Sequence, residues 1–405
     1  MTQRPRLAIT LGDPCGIGPE LLVRSLETLE SWADLSLVGA KAGLDLLDCT
    51  GIKPEWAAAA RRLRASQAWI DPTPEITSDQ LTLGRGSAES GRCAVEAVRV
   101  GAQLVLAGQA DALVTLPLSK AAAHLAGFDI PGHTEYLQQL SGAPMTRMAF
   151  VSPTLCVVLH TVHQSLRSVV EGINAEAVAE TLSFAADRFI QLTGNYDLRV
   201  ALCALNPHAG EGGAFGDEET MLQEALGMAE ASFLNFDPSS WQGPFQHLPS
   251  PFPPGPSPAG WELYPGGAAS PLRLSRRQSG MELLSPGQEP LAPPSHPSPQ
   301  FFGPLPADTV FQRAAQHEFD LVVALYHDQG LIPVKVLEAT RAVNLTLGLP
   351  FIRCSPDHGT AFDKAGKWAG DATNFLEASA LAVRLAGRAK GAPWKAQVPE
   401  LAAWK

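Results

Sequence analysis

The chain has 405 residues, 45% hydrophobic and 18% charged, with a formal net charge of -11. That length suits two domains and that apolar content a full core, while the acidic balance argues against the Lys/Arg field that non-specific nucleic-acid binding requires. Cys15, Cys49, Cys93, Cys156, Cys203 and Cys354 form no CxxC pair, the apolar run near the N-terminus is too short for a signal peptide, and none elsewhere approaches the roughly 20 residues of a membrane span; a reducing, cytoplasmic location is expected, with no membrane partner.

In chain order, short apolar runs alternate with longer stretches of helical spacing, the pattern of an α/β protein. Strands are predicted at Leu7–Leu11, Leu35–Val38, Ala112–Leu116, Thr154–Leu159, Arg199–Leu205 and Leu321–Tyr326. Helices are predicted at Pro19–Leu29, Ser87–Ala107, Ala175–Leu192 and Asp217–Ala231. The stretch Ser87–Ala107 sets Ala94, Val95, Val98, Leu104 and Val105 on one helical face. From Pro238 to Gln300 the chain is dense in Pro, Ser and Gly. Proline blocks helix and central strand, so this stretch is read as an insertion, expected to be disordered. Trp241, Phe245, Trp261 and Tyr264 leave an ordered lid as the alternative.

In open α/β sheets ligands collect beyond the carboxyl ends of strands. Three predicted strands are each followed there by histidine: His160 and His163, then His208, then His327. Three imidazoles with an open position describe a catalytic metal site, although a single such histidine is more often a hydrogen-bonded loop residue. Pro131-Gly132-His133-Thr134-Glu135 sets imidazole and hydroxyl side by side ahead of a helix, where Thr134 could instead be a simple N-cap. Lys335, Asn344 and Arg353 follow, expected in loops or at element ends, and together suit a phosphate or carboxylate. Gly12-Asp13-Pro14-Cys15-Gly16-Ile17-Gly18-Pro19-Glu20 looks like a dinucleotide fingerprint but has Leu21 where the last glycine belongs; it is read as a tight turn near a ligand.

ITLGDPCGIGPE, LVTLPLSK, GHTEYL, LNPHAGEGG, GPLPADT, YHDQGLIPVK and VNLTLGLPFIRCSPDHGTAFDKAG, in this order, resemble the 4-hydroxythreonine-4-phosphate dehydrogenase family over nearly the whole chain. HGTAFDKAGK also looks like the cofactor-side segment of isocitrate and isopropylmalate dehydrogenases. The resemblance implies a two-domain α/β/α sandwich of that type: residues 1–130 with 341–405 as a discontinuous cofactor-side domain, and 131–340 as the metal and substrate domain carrying the 238–300 insertion. It implies a homodimer with its active site at the subunit interface. It matches His163, His208 and His327 to ligands of one divalent cation (zinc, magnesium, cobalt or manganese), with His163 preferred over His160 because Leu166-Arg167 keeps the family's register. His133, Thr134, Asp308, Lys335, Asn344 and Arg353 match residues that hold the phosphorylated substrate. Asp308 and Lys335 are the candidates to take the hydroxyl proton. NAD or NADP would lie near Asp357, His358, Gly359 and Gly366. The implied reaction is oxidation of 4-phosphooxy-L-threonine to a β-keto acid that loses CO2, in pyridoxal phosphate biosynthesis. The alternatives are a sister dehydrogenase of 4-phospho-threonate, 4-phospho-erythronate or a related diol, a metal hydrolase independent of nicotinamide, and a scaffold protein working through its Pro-rich arm.

Overall fold

The computed structural model describes residues 4–49, 52–66, 69–233 and 298–389. All of the expected insertion but its last three residues therefore lies outside the described residues. The strands are β1 (Arg6–Thr10), β2 (Asp34–Val38), β3 (Trp69–Ile70), β4 (Ala112–Thr115), β5 (Arg147–Val151), β6 (Cys156–Leu159), β7 (Arg199–Cys203), β8 (Gln300–Leu305), β9 (Leu321–Ala324), β10 (Val343–Leu347) and β11 (Ile352–Pro356). The α-helices are α1 (Gly18–Trp32), α2 (Ala42–Asp45), α3 (Pro54–Ala65), α4 (Ala88–Leu106), α5 (Lys120–Leu125), α6 (His133–Ser141), α7 (Leu166–Gly172), α8 (Ala175–Thr193), α9 (Glu218–Phe233), α10 (Ala307–Ala315), α11 (His327–Glu338) and α12 (Thr373–Ala389).

Each predicted element forms, with ends moved by at most three residues. Ser87 caps α4 by accepting from the Ser90 amide, which fixes the start that the apolar spacing indicated. The sequence reading missed β3, β5, β8, β10 and β11. The last two matter most: they carry Asn344 and Arg353, which were expected in loops or at element ends and sit inside strands instead. Lys335 likewise lies within α11, not in a loop. Polar residues in five-residue strands hide the apolar run by which a buried strand is recognised.

All the strands form one sheet in the order β3-β2-β1-β4-β11-β10-β5-β6-β9-β7-β8. Strands from residues 1–130 and 341–405 fill one half and those from 131–340 the other, joined by the antiparallel β10–β5 pair. Because β10 is antiparallel to both neighbours and β6 is antiparallel to β5, the carboxyl ends of β4 and β11 lie at one edge of the sheet and those of β6, β9 and β7 at the opposite edge.

Side-chain alternation then divides the core. One face carries a continuous apolar layer, including Leu7, Ile9, Val114, Val158, Val343, Leu345, Ile352, Cys354 and Phe375. The other carries two separate clusters, one around Phe150, Val157 and Val322, the other around Ala8, Leu113 and Phe351. Between them β10 and β11 turn Asn344, Thr346, Arg353 and Ser355 toward this second face, the polar residues alternating with the apolar ones of the first.

Candidate active site

That polar gap is the floor of a cleft of about 620 Å³. Its floor comprises Thr115 of β4, Met148 and Phe150 of β5, Asn344 of β10, and Arg353 and Ser355 of β11. The pairings Asn344↔Ser355 and Asn344↔Phe150 put these side chains in register. The walls are the first turn of α6, the helix α11, the 117–120 loop and residues 356–359. Along α11, His327 and Lys335 are eight residues apart, about 12 Å at 1.5 Å per residue, so one helix reaches from the histidine end of the cleft to the Asp357 end.

Arg353 is 2% exposed. Its guanidinium donates to Thr115 Oγ1 (2.6 and 3.1 Å) and to Thr346 Oγ1 (3.0 Å). No carboxylate lies within ion-pair distance of it among the described residues. Burial lowers its pKa to about 10, which still leaves it charged at neutral pH. A buried cation held by hydroxyls calls for an anion, since desolvating a charge costs several kcal/mol unless it is paired. His133, at the start of α6, has its Nε2 buried without a protein partner. Burial, then the charges of Arg353 and Lys120, holds its pKa well below the usual histidine range, so it stays neutral. Gly132 is the N-cap of α6 and makes no side-chain cap, so Thr134 is inside the helix, buried, and does not cap it. The helix start adds partial positive charge near the same guanidinium. Asn344 Oδ1 and His358 Nε2 also lack protein partners and line the cleft. Lys335 Nζ donates to the Asp357 carbonyl (2.7 Å) and pairs with its carboxylate at 2.5 Å.

On the wall beyond β6 and β9 the rings of His163 and His327 lie 5.8 Å apart, centre to centre. The Nδ1 of His327 is 2.7 Å from Asp328 Oδ1, which leaves its Nε2 for another partner. Two imidazoles at this spacing can meet one ion at ordinary metal–nitrogen lengths of about 2.0–2.1 Å. The third histidine does not join them. His208 is exposed beyond β7, with Phe215 as its ring neighbour, and does not line the cleft. Among the described residues of one chain no three His, Cys, Asp or Glu side chains are placed to hold a metal. The strand ends are nevertheless neighbours, because β6, β9 and β7 are adjacent and parallel. Buried Glu219 accepts the Leu205 and Asn206 amides (3.1 and 2.7 Å), fixing the end of β7. From His208 to Gly213 every φ is positive, between 44° and 95°. His160 sits outside the cleft with Nδ1 2.8 Å from Thr181 Oγ1, and burial lowers its pKa to about 4.

Of the other expected residues, Asp357, His358 and Gly359 line the cleft, while Gly366 does not; a Cβ there would meet Leu83 at 2.3 Å, a packing role. Asp308 is exposed on the first turn of α10, also away from the cleft. Thr115 and Lys120 line the cleft without having been singled out, although both lie in LVTLPLSK, at a strand end and a helix start.

The sequence model of the family described as "Pyridoxal phosphate biosynthetic protein PdxA" matches residues 32–246 and 295–382. The chain belongs to the PdxA family. The match breaks within the Pro-rich stretch. Two curated relatives are each 34% identical: the D-threonate 4-phosphate dehydrogenase of Salmonella typhimurium, aligned over 94% of this chain and 97% of its own, and the 4-hydroxythreonine-4-phosphate dehydrogenase of Geobacter metallireducens, over 96% and 97%. The crystal structure of the 4-hydroxythreonine-4-phosphate dehydrogenase from Klebsiella pneumoniae superposes with a TM-score of 0.65 at 30% identity, covering 94% of this chain and 99% of that one. A terephthalate 1,2-cis-dihydrodiol dehydrogenase from Burkholderia xenovorans shares the fold, with a TM-score of 0.53 at 23% identity. The chain is thus a PdxA-type dehydrogenase, and its α/β fold is that of the PdxA structures.

Proposed function

We propose that this chain oxidises the C3 hydroxyl of 4-phosphooxy-L-threonine with NAD or NADP, giving 2-amino-3-oxo-4-phosphooxybutanoate, which decarboxylates to 3-amino-2-oxopropyl phosphate on the route to pyridoxal phosphate. The observation that carries the reading is the cleft's division of labour: a buried, hydroxyl-held Arg353 on its floor and a histidine pair on its wall. Arg353, neutral His133, Thr134 and Asn344 bind the phosphate, with Lys335 reaching it from α11. Fixing that end orients the C3 hydrogen and removes translational freedom from the reacting pair. Bound nicotinamide supplies the hydride acceptor. Asp357, His358 and Gly359 form its wall; Gly359 suits a close approach, since a Cβ there would meet nothing within 4 Å. Of the two candidates for the proton, Lys335 lines the cleft and Asp308 does not.

The metal reading rests on two donors, His163 and His327, and the donor set of one chain is incomplete without His208. A homodimer with the cleft at its interface fits the exposed apolar residues of α11, where Ile332, Val336 and Leu337 are 61%, 77% and 50% exposed; Leu166 and Val170 of α7 are exposed as well. Ile332 and Val336, four residues apart, share one face of α11, and exposed apolar residues grouped in this way suit an interaction site. A cytoplasmic location suits the six free cysteines, and no described helix is long and apolar enough to cross a membrane.

The second reading, oxidation of D-threonate 4-phosphate, is favoured by the Salmonella relative's name and uses the same phosphate floor. The test is a rate measurement with 4-phosphooxy-L-threonine and D-threonate 4-phosphate, each nicotinamide, before and after chelation and across a panel of divalent cations. The expected result is nicotinamide reduction that chelation abolishes and a cation restores, with the amino acid phosphate preferred. Full activity in a metal-free preparation contradicts the metal assignment. Preference for the threonate selects the second reading.

A further inference from the structure

The Gly12–Glu20 loop resembles a phosphate cradle in sequence, yet four of its amides are already committed. Asp13 N donates to Pro117 O, Cys15 N to the Asp13 carboxylate, Gly16 N to Asp13 O and Ile17 N to Thr360 O, all at 2.9–3.0 Å. Residues 11–23 are buried. What the loop and the helix it opens do instead is hold the segment from Thr360 to Gly370, which directly follows the cleft-wall residues 356–359. Glu20, with no exposed surface, accepts the Trp368 amide on Oε2 and the Gly370 amide on Oε1, both at 3.0 Å. Arg24 lies 3.7 Å from the same carboxylate and over the ring of Trp56, which stacks on Trp368 with ring centres 5.9 Å apart. The held segment needs holding: Ala361 and Trp368 both have positive φ, which side-chain-bearing residues adopt only when neighbours enforce it. Contact is close enough that a Cβ on Gly370 would meet Ile17 at 2.4 Å and one on Gly16 would meet Thr360 O at 2.9 Å.

We infer that Glu20 is a positioning residue for the nicotinamide wall: its carboxylate clamps 368–370, and with the Ile17–Thr360 bond it sets where Asp357–Gly359 face the cleft. The inference rests on the proposal that NAD(P) lies against this segment, and its test separates the two. Glu20→Gln keeps the shape but turns an amide NH2 toward one backbone N–H; Glu20→Ala strands both amides. In the full-length protein, hydrogen exchange over 357–370 is expected to accelerate in both variants, more in Glu20→Ala, with exchange elsewhere unchanged. The KM for the nicotinamide dinucleotide should rise about ten-fold or more in Glu20→Ala and less in Glu20→Gln, with the KM for the phosphorylated substrate near parent. If Glu20→Ala does not fold, Glu20→Gln carries the same comparison. Unchanged exchange over 357–370 overturns the clamp. Faster exchange with an unchanged nicotinamide KM overturns the link to cofactor and, with it, the placing of the cofactor on this wall.

Discussion

Asp13 and Arg353 are both buried charges, and burial acts on them in opposite directions. For Asp13, fully buried, burial raises the carboxyl to about 6 against the bonds it accepts from the Cys15 amide and the Ser90 hydroxyl. The unfolded carboxyl titrates near 3.9. Between about pH 4 and pH 6 the folded chain therefore holds a proton that the unfolded chain has released. Stability from this site is highest below the window and falls as pH rises through it, by about 3 kcal/mol at 1.36 kcal/mol per unit. Asp13→Asn should remove that fall. Denaturant midpoints of parent and variant across the window should diverge in slope; identical slopes would contradict the assignment. Arg353 was legible as a residue type suited to phosphate, but its two threonine partners were not. Thr115 and Thr346 come from β4 and β10, separated by more than two hundred residues, and only the sheet order brings them to one guanidinium.

At the scale of elements, length favoured the helices that were read: the four predicted, α1, α4, α8 and α9, have 15 to 19 residues. A nineteen-residue helix such as α4 repeats its apolar spacing several times, while a six-residue helix such as α5 or a strand of five residues cannot. The rule that ligands gather at carboxyl ends found the histidines of β6, β9 and β7. It did not anticipate that β4 and β11 end at the opposite edge, so that the cleft crosses the face of the sheet along α11. The exposed face of α11 is also where the dimer proposal is most easily tested. Val336→Glu places charge on a residue 77% exposed, so the lone chain should fold with little loss. Sedimentation is expected to show a dimer for the parent and a shift to monomer for the variant. A variant that stays dimeric would move the interface elsewhere.

For the whole molecule, the family's motifs resume on the far side of the Pro-rich stretch, and the described residues explain how. Phe233 at the end of α9 packs on Phe301 of β8, ring centres 5.8 Å apart, so the two ends of the expected insertion are already neighbours. Closing a loop costs only about 0.6 kcal/mol per doubling of its length. Replacing residues 238–297 by a short Gly/Ser linker should leave melting temperature and kcat near parent. A variant that folds but loses turnover would show that the stretch serves the cleft as a lid. The central claim is that the cleft floor reads a phosphate for an oxidation. It is tested most directly by kcat/KM for nicotinamide reduction with 4-phosphooxy-L-threonine and with D-threonate 4-phosphate, in the parent and in Arg353→Met. Loss of a charge-assisted contact of about 1.5–3 kcal/mol predicts a fall of roughly ten- to over a hundred-fold on the better substrate, with the nicotinamide KM unchanged. An Arg353→Met enzyme as efficient as the parent on both phosphorylated substrates would contradict it.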